Sequence, residues 1–437
     1  MRAVPGGHAQ LRNAGVHGIV IRMSKDLMEE PARLTMVVLA IHLRLLMLRQ
    51  VWTPIALALV VLTAMTLDAC SKAAPAVAAK TDEPSAAPVA TSNLEPPLEG
   101  MPPLLDPNDV YAATRAGRLS PTVADFPQRI YVPNSGSNTV DVIDPATFKI
   151  VNHFDVGREP QHVTPSYDLK RLWVLSDLGD SVTEIDPTTG AKGRTVWVKD
   201  PYNMYYTPDG KYAIVVAERE RKLNFLDPET MKVRESLSVP CKGVDHMDFT
   251  ADGRYLIASC EFAATLVKVD VAARKVVGTL TLEPGGMPQD VRSAPDGKLF
   301  YVADMMAHGV YVIDPHAFSR VEFIPTGKGA HGISISRDSK LMYVSNRGEG
   351  SVSVFDLGTR KQVARWEIPG GGSPDMGGLS IDGSVLWLSG RYHHEVYAFD
   401  TKDGHLLARI KVGRGPHGLA VFPQPGRYSL GHNGLYR

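Results

Sequence analysis

A fifteen-residue frame, first met as IYVPNSGSNTVDVID at residues 130 to 144, returns six more times along the chain. The later copies are LWVLSDLGDSVTEID (172 to 186), AIVVAERERKLNFLD (213 to 227), LIASCEFAATLVKVD (256 to 270), FYVADMMAHGVYVID (300 to 314), MYVSNRGEGSVSVFD (342 to 356) and LWLSGRYHHEVYAFD (386 to 400). Each ends on an aspartate, at Asp144, Asp186, Asp227, Asp270, Asp314, Asp356 and Asp400, so subtraction gives spacings of 42, 41, 43, 44, 42 and 44 residues. A unit of this length cannot bury its apolar side alone, and a period of about 40 to 45 residues with four short strands per unit is that of a propeller blade.

Each unit supplies the four strands. A strand such as KLMYVSN leads through a four-residue polar loop into SVSVFD, where alternation marks one buried face. A turn follows in which Asp precedes Pro, as at Asp144-Pro145 and Asp314-Pro315. An outer strand comes next, then an inner strand that opens on a P-H-G-like sequence and runs into a PDG turn. The array opens at Ile130 on the second strand of a blade and ends on HGLAVFP, an inner strand with no blade after it. The predicted fold is therefore all-β: a seven-bladed β-propeller of four-stranded blades over residues 129–422, its ring closed by the C-terminal strand, which removes the open sheet edges. The 39 Gly and 32 Pro suit short strands and tight turns. With 47 basic and 47 acidic residues and no Lys/Arg run in the array, a nucleic-acid partner is not expected.

Before the array the chain reads as processing signals. Residues 1–46 carry no repeat and look like an atypical or non-biological extension. Residues 47–70 have a short basic start, an apolar stretch from Val51 to Leu67 and then LDAC, the order of a secretory signal peptide. LDAC resembles a bacterial lipobox and would make Cys70 a lipidated first residue; cleavage within AAPAVAA, residues 73 to 79, is the alternative. Either route exports the protein, to the periplasm or cell surface, with a membrane anchor if Cys70 is modified. Residues 71–103, rich in Ala, Pro and Ser, are expected to form a tether. Residues 104–128 form a lead-in with a short helix near Asp109 to Arg115. The tail, 423–437, could plug or cover a face, with His432 and Tyr436 reaching the channel mouth; a flexible end is the simpler expectation.

The repeats IYVPNSGSNTVDVIDPAT and MYVSNRGEGSVSVFD, with GPHGLAV, resemble the YVTN-type repeats of YncE-like propellers in exported bacterial proteins. That resemblance implies export and a binding surface rather than one reaction. Related propellers include haem-carrying, haem-maturing and lactonase-like proteins.

Inner strands line a propeller's channel, so residues at their starts face its mouth. Those positions hold His162, Asn203, His246 (after Asp245), Asp290, His331, Asp375 and His417. Imidazoles beside carboxylates can ligate a transition metal or haem iron, or move protons near neutral pH; any single one of these histidines is more simply read as bracing a neighbouring blade. The loops between second and third strands add Met305, Met306, His308, His393 and His394 as soft-metal or axial haem ligands, gap-filling methionines and a solvated His393-His394 loop being the simpler reading. Arg219, Arg221, Arg347 and Arg391 are candidates for a carboxylated ligand, with Glu218 and Glu220 as local partners for the first two. The candidate metal set is His246, His331, His417 and His308. With Thr250 opposite Tyr255, Asp245 or His246 falls opposite Cys260, and Cys241 and Cys260 form a candidate disulfide, a Cys-His metal site being the minor alternative. Three function classes follow: a non-enzymatic exported module binding a small ligand or periplasmic protein at the mouth, a tetrapyrrole (haem) or metal-binding protein, and a lactonase-like hydrolase using Asp245, Asp290 and Asp375.

Overall fold

The computed structural model describes residues 96–432 and 434–437; the leader, Cys70 and most of the expected tether lie outside the described residues. Seven antiparallel sheets of four strands form the ring. The inner strands are Pro160–Pro165, Asn203–Tyr206, Val244–Phe249, Pro288–Ser293, Ala330–Ile335, Pro374–Leu379 and, closing the ring, Ala420–Phe422. This last strand pairs with Arg129–Asn134, placing Arg129 opposite Phe422, Ile130 opposite Val421 and Tyr131 opposite Ala420. The first blade is thus built from both ends of the array.

The repeated aspartate turns out to be a turn device. Asp144 accepts from the Ala146 N–H (2.9 Å) and the Thr147 hydroxyl (2.8 Å). Asp186, Asp314 and Asp400 accept from the N–H two residues on, at 2.8, 2.7 and 2.8 Å. Such Asx bonds fix the hairpin between the third and outer strands. Between the inner and second strands the Ser/Thr-x-Asp turns are pinned alike, Thr207 donating to Asp209 at 2.6 Å and Ser336 to Asp338 at 2.6 Å.

Two segments cover the face carrying the PDG turns. In the lead-in, Leu98 N–H donates to Asp252 O (2.8 Å), Val110 N–H to Pro295 O (2.8 Å) and the Tyr111 hydroxyl to Ser293 O (2.8 Å). Packing therefore begins at Leu98, ahead of the expected boundary at residue 104. The expected helix is a single 3-10 turn, Ala112–Thr114, followed by a second, Pro121–Val123. The tail is not a flexible end: Leu430, Leu435 and Tyr436 are buried, and Tyr206 N–H donates to Leu430 O at 3.0 Å. Arg437, also buried, pairs with Asp248 at 2.9 Å. The tail threads back towards the channel axis and places His432 inside it, with His432 N–H donating to Met204 O at 3.2 Å. The side chain arrives from the covered face, whereas Tyr436 joins the apolar cluster of Val163, Ala420 and Phe422.

Candidate functional site

A recurring irregularity aims side chains into the channel. Five inner strands slip register by one residue at their start: between Pro160 and His162, Val244 and Met247, Pro288 and Val291, Ala330 and Ile333, and Pro374 and Gly377. Such bulges leave a residue unpaired and turn it off the sheet. One of them corrects the expected register: Val244, not Asp245 or His246, stands opposite Cys260, although Thr250 N–H does bond Tyr255 O at 2.9 Å. The His246 N–H instead reaches the Ser259 hydroxyl at 3.1 Å.

The channel residues divide into two groups. In one, Asp375 lies 2.8 Å from His331 Nδ1 and 2.8 Å from His417 Nδ1, and Arg347 pairs with it at 2.6 Å. Arg347 also reaches His331 Nε2 and, at 3.4 Å, the hydroxyl of exposed Tyr392. His417 Nε2 meets the Tyr202 hydroxyl at 3.3 Å. Burial alone would raise the Asp375 pKa, but Arg347 and the two imidazoles hold it well below the usual carboxylate range. Burial, then Arg347, lowers His331 to about 4; burial, then Arg391, lowers His417 to about 3. Both are neutral imidazoles committed to Asp375. Arg391 is half-buried, its guanidinium 3.4 and 3.5 Å from Gln161 Oε1.

The second group is His162, His246 and His432, all fully buried. The ring centroids are 5.3 Å apart for His162 and His246, 4.9 Å for His162 and His432, and 4.6 Å for His246 and His432. One ring nitrogen of each lies within 4.8 Å of the others. Asn203 Nδ2 faces two of them, 3.1 Å from His246 Nδ1 and 3.0 Å from His432 Nδ1. Behind the rings, His246 Nε2 is 3.1 Å from Asp245 Oδ1 but misaligned for a hydrogen bond, and His432 Nε2 is 3.7 Å from Asp290 Oδ1. Both nitrogens of His162 lack a partner. Its ring fits only because residue 418 is glycine, since a Cβ there would stand 1.9 Å from His162 Nδ1. Burial, foremost, holds all three imidazoles well below their ordinary pKa, hence neutral.

Carboxyl groups gather around this second group. Asp290 is bonded by the N–H groups of Val291 (3.0 Å) and Ile333 (2.9 Å) and lies 3.3 Å from Arg292; burial raises it to about 6. Asp245 is fully buried, and burial followed by Glu261 and Glu218 raises its pKa. Burial, then Glu261 and Asp177, raises Glu218 from 4.5 to about 8. Between those two values the unfolded chain releases a proton that the folded chain keeps. Glu218's contribution is therefore fully present below about pH 4.5 and is lost as pH rises through about 8. Chemical-denaturation midpoints of the Glu218→Gln variant should fall less between pH 5 and 9 than those of the wild type; parallel curves would contradict this.

The remaining loop candidates lie elsewhere. His308 is exposed and its Nδ1 stands 2.9 Å from Met305 O and accepts from Gly329 N–H at 3.1 Å, and His394 Nδ1 accepts from Gly415 N–H at 3.1 Å. These loop histidines brace neighbouring loops, and the expected metal set of His246, His331, His417 and His308 is not one cluster. Arg219 pairs with Asp200 (2.7 Å) and Asp177 (3.2 Å) rather than with the glutamates beside it. Cys241 and Cys260 form a disulfide with Cα atoms 6.0 Å apart, which ties down the loop leading to Asp245 and His246.

A profile of the YNCE-like beta-propeller family matches residues 110–425. The chain belongs to this family. YncE of Salmonella typhi is 23% identical over 257 residues, 52% of this chain and 69% of its own length. An uncharacterized protein of Lactococcus lactis subsp. cremoris is 28% identical over 141 residues, 28% of this chain, and the match spans only 41% of that relative's length. Among solved structures, hydrazine synthase of Kuenenia stuttgartiensis superposes with a TM-score of 0.56 at 19% identity, covering 66% of this chain and 96% of that one. At that identity the likeness speaks for the fold alone.

Proposed function

We propose that this YNCE-like propeller is an exported, lipid-anchored, non-enzymatic binding module that takes a small ligand into its channel from the mouth. The observation that carries the reading is a concentration of unmet polar atoms. Both nitrogens of His162, Nε2 of His246 and of His432, and both oxygens of Asp245 lack a well-aligned hydrogen bond, although Tyr202 and His246 stand beside Asp245. Each buried group left so costs about 1–3 kcal/mol, and native structures rarely gather such groups unless something binds them. The lead-in and the tail lie over the opposite face, which leaves the mouth as the way in. Glu218 and Glu261 belong to its loops on one side, Arg347 and Arg391 on the other.

The geometry supports the alternatives less. A macrocycle does not fit among rings 4.6 to 5.3 Å apart, and none of the channel imidazoles is more than 2% exposed to offer an axial ligand. For a hydrolase, Asp290 and Asp375 are buried and engaged with arginines. Native mass spectrometry of protein purified from the cell envelope tests the reading. It should show a mass above that of the polypeptide with lipidated Cys70, and the excess should be lost in the His162→Ala, His246→Ala double variant. A wild-type mass equal to the processed polypeptide, with a melting midpoint unchanged by exhaustive dialysis, would overturn it.

A further inference from the structure

We infer that the channel ligand is a single divalent first-row transition-metal ion, held by His162, His246 and His432; the inference rests on the binding-module reading and names its ligand. His246 and His432 turn Nδ1 lone pairs towards one point, because the Asn203 amide sits between them and donates to both, at 3.1 and 3.0 Å. A donor that two imidazole lone pairs share marks the place where a cation would sit, and rotation of the Asn203 side chain would vacate it. The same bonds set the tautomer: with Nδ1 unprotonated, Nε2 carries the proton, towards Asp245 in His246 and towards Asp290 in His432. A metal-binding imidazole usually directs its other N–H at a carboxylate; here Asp245 stands 3.1 Å from one Nε2, off the hydrogen-bond line, and Asp290 3.7 Å from the other, so each carboxylate is a neighbour that can take up this role. His162 supplies the third donor, a buried imidazole whose two nitrogens have no other use in the fold.

The donor chemistry narrows the ion. Three neutral imidazoles without a thiolate, both channel-side cysteines being in the disulfide, suit Zn(II), Cu(II), Ni(II) or Co(II); Mg(II) and Ca(II) want oxygen. Three protein ligands leave a coordination position open. His331 and His417 stay outside the set because Asp375 bonds His417 Nδ1 at 2.8 Å, and His331 lies between Arg347 at Nε2 and Asp375 2.8 Å from Nδ1.

Full-chain protein purified from the envelope, stripped with chelator and titrated with CoCl2, ZnCl2 or CuCl2 provides the test. One equivalent should survive desalting, and X-ray absorption of the wild-type Zn(II) form should show three imidazole ligands. His432→Ala and His162→Ala should each weaken binding by more than the ~10–100-fold expected of Asp245→Asn, while His308→Ala should leave it unchanged. Failure of wild-type protein to retain any of the three ions, or a shell without three imidazoles, overturns the inference; neither result depends on a variant folding. If native mass then shows an organic ligand without metal, the binding module stands and only the metal falls. If it shows neither, both fall.

Discussion

A chain ending at Lys411 is expected to yield no soluble folded ring. The deletion removes Ala420–Phe422, the inner strand of the first blade, and exposes the edge of Arg129–Asn134 in an otherwise closed structure. It also removes Leu419, Phe422, Leu430, Leu435 and Tyr436, all buried. At about 1.5–3 kcal/mol for each fully buried large side chain, the loss comes to roughly 8–15 kcal/mol. The whole stability of a domain is only about 5–15 kcal/mol, so the deletion leaves nothing in reserve. Size-exclusion chromatography with far-UV circular dichroism of the truncated protein is the check. A monomer that unfolds cooperatively near the wild-type denaturant midpoint would show that the ring does not need its closing strand.

The second large effect concerns Asp375, which stands against His331, His417 and Arg347 with no exposed surface of its own. Replacing it with alanine strands the guanidinium of Arg347 in a buried place and leaves two imidazole Nδ1 atoms without their carboxylate. Breaking a buried pair from one side typically costs about 3–5 kcal/mol, most of it the unpaired charge that remains. Asp375→Asn keeps the shape and still lacks the charge, so it should recover only a small part. The folded-state pKa is depressed, so the contribution is complete above the unfolded carboxyl value of about 3.9 and disappears as pH falls below it. Wild type and Asp375→Ala should therefore differ by the full amount at pH 7 and converge towards pH 2. A difference at pH 7 under about 1 kcal/mol in urea denaturation would mean that the carboxylate is not what neutralises Arg347.

Much of this was legible in the repeat. Seven frames gave seven blades, and an orphan first strand at Ile130 with an orphan last strand at HGLAVFP placed the closure. The starts of the inner strands also pointed to the channel, because a residue's place in a blade decides what it faces. What the repeat could not convey lay in its departures. The bulges at His162 and at Asp245-His246 shift a strand by one residue, and Pro160 and Gly243 beside them read just as well as residues of an ordinary loop, so strict alternation misplaced Cys260's partner. The partners of Arg219 are Asp200 and Asp177, remote in sequence and close only once blades stack. His432 belongs to a segment with neither period, and composition made the tail look loose; it is ordered by what it packs on. The two charge groups of the channel look alike as a string of histidines and differ only in whether Asp375 is within reach.

The tail also sets a timetable. A chain made from its N-terminus completes six blades while the first still lacks its inner strand, and His432 comes after that strand. The three-imidazole cluster is consequently absent from every chain that stops before His432 and forms only after the closing strand has been made. An ion or small ligand that meets the protein during its synthesis finds at most two of the three donors. Only a chain that has passed His432 can keep it.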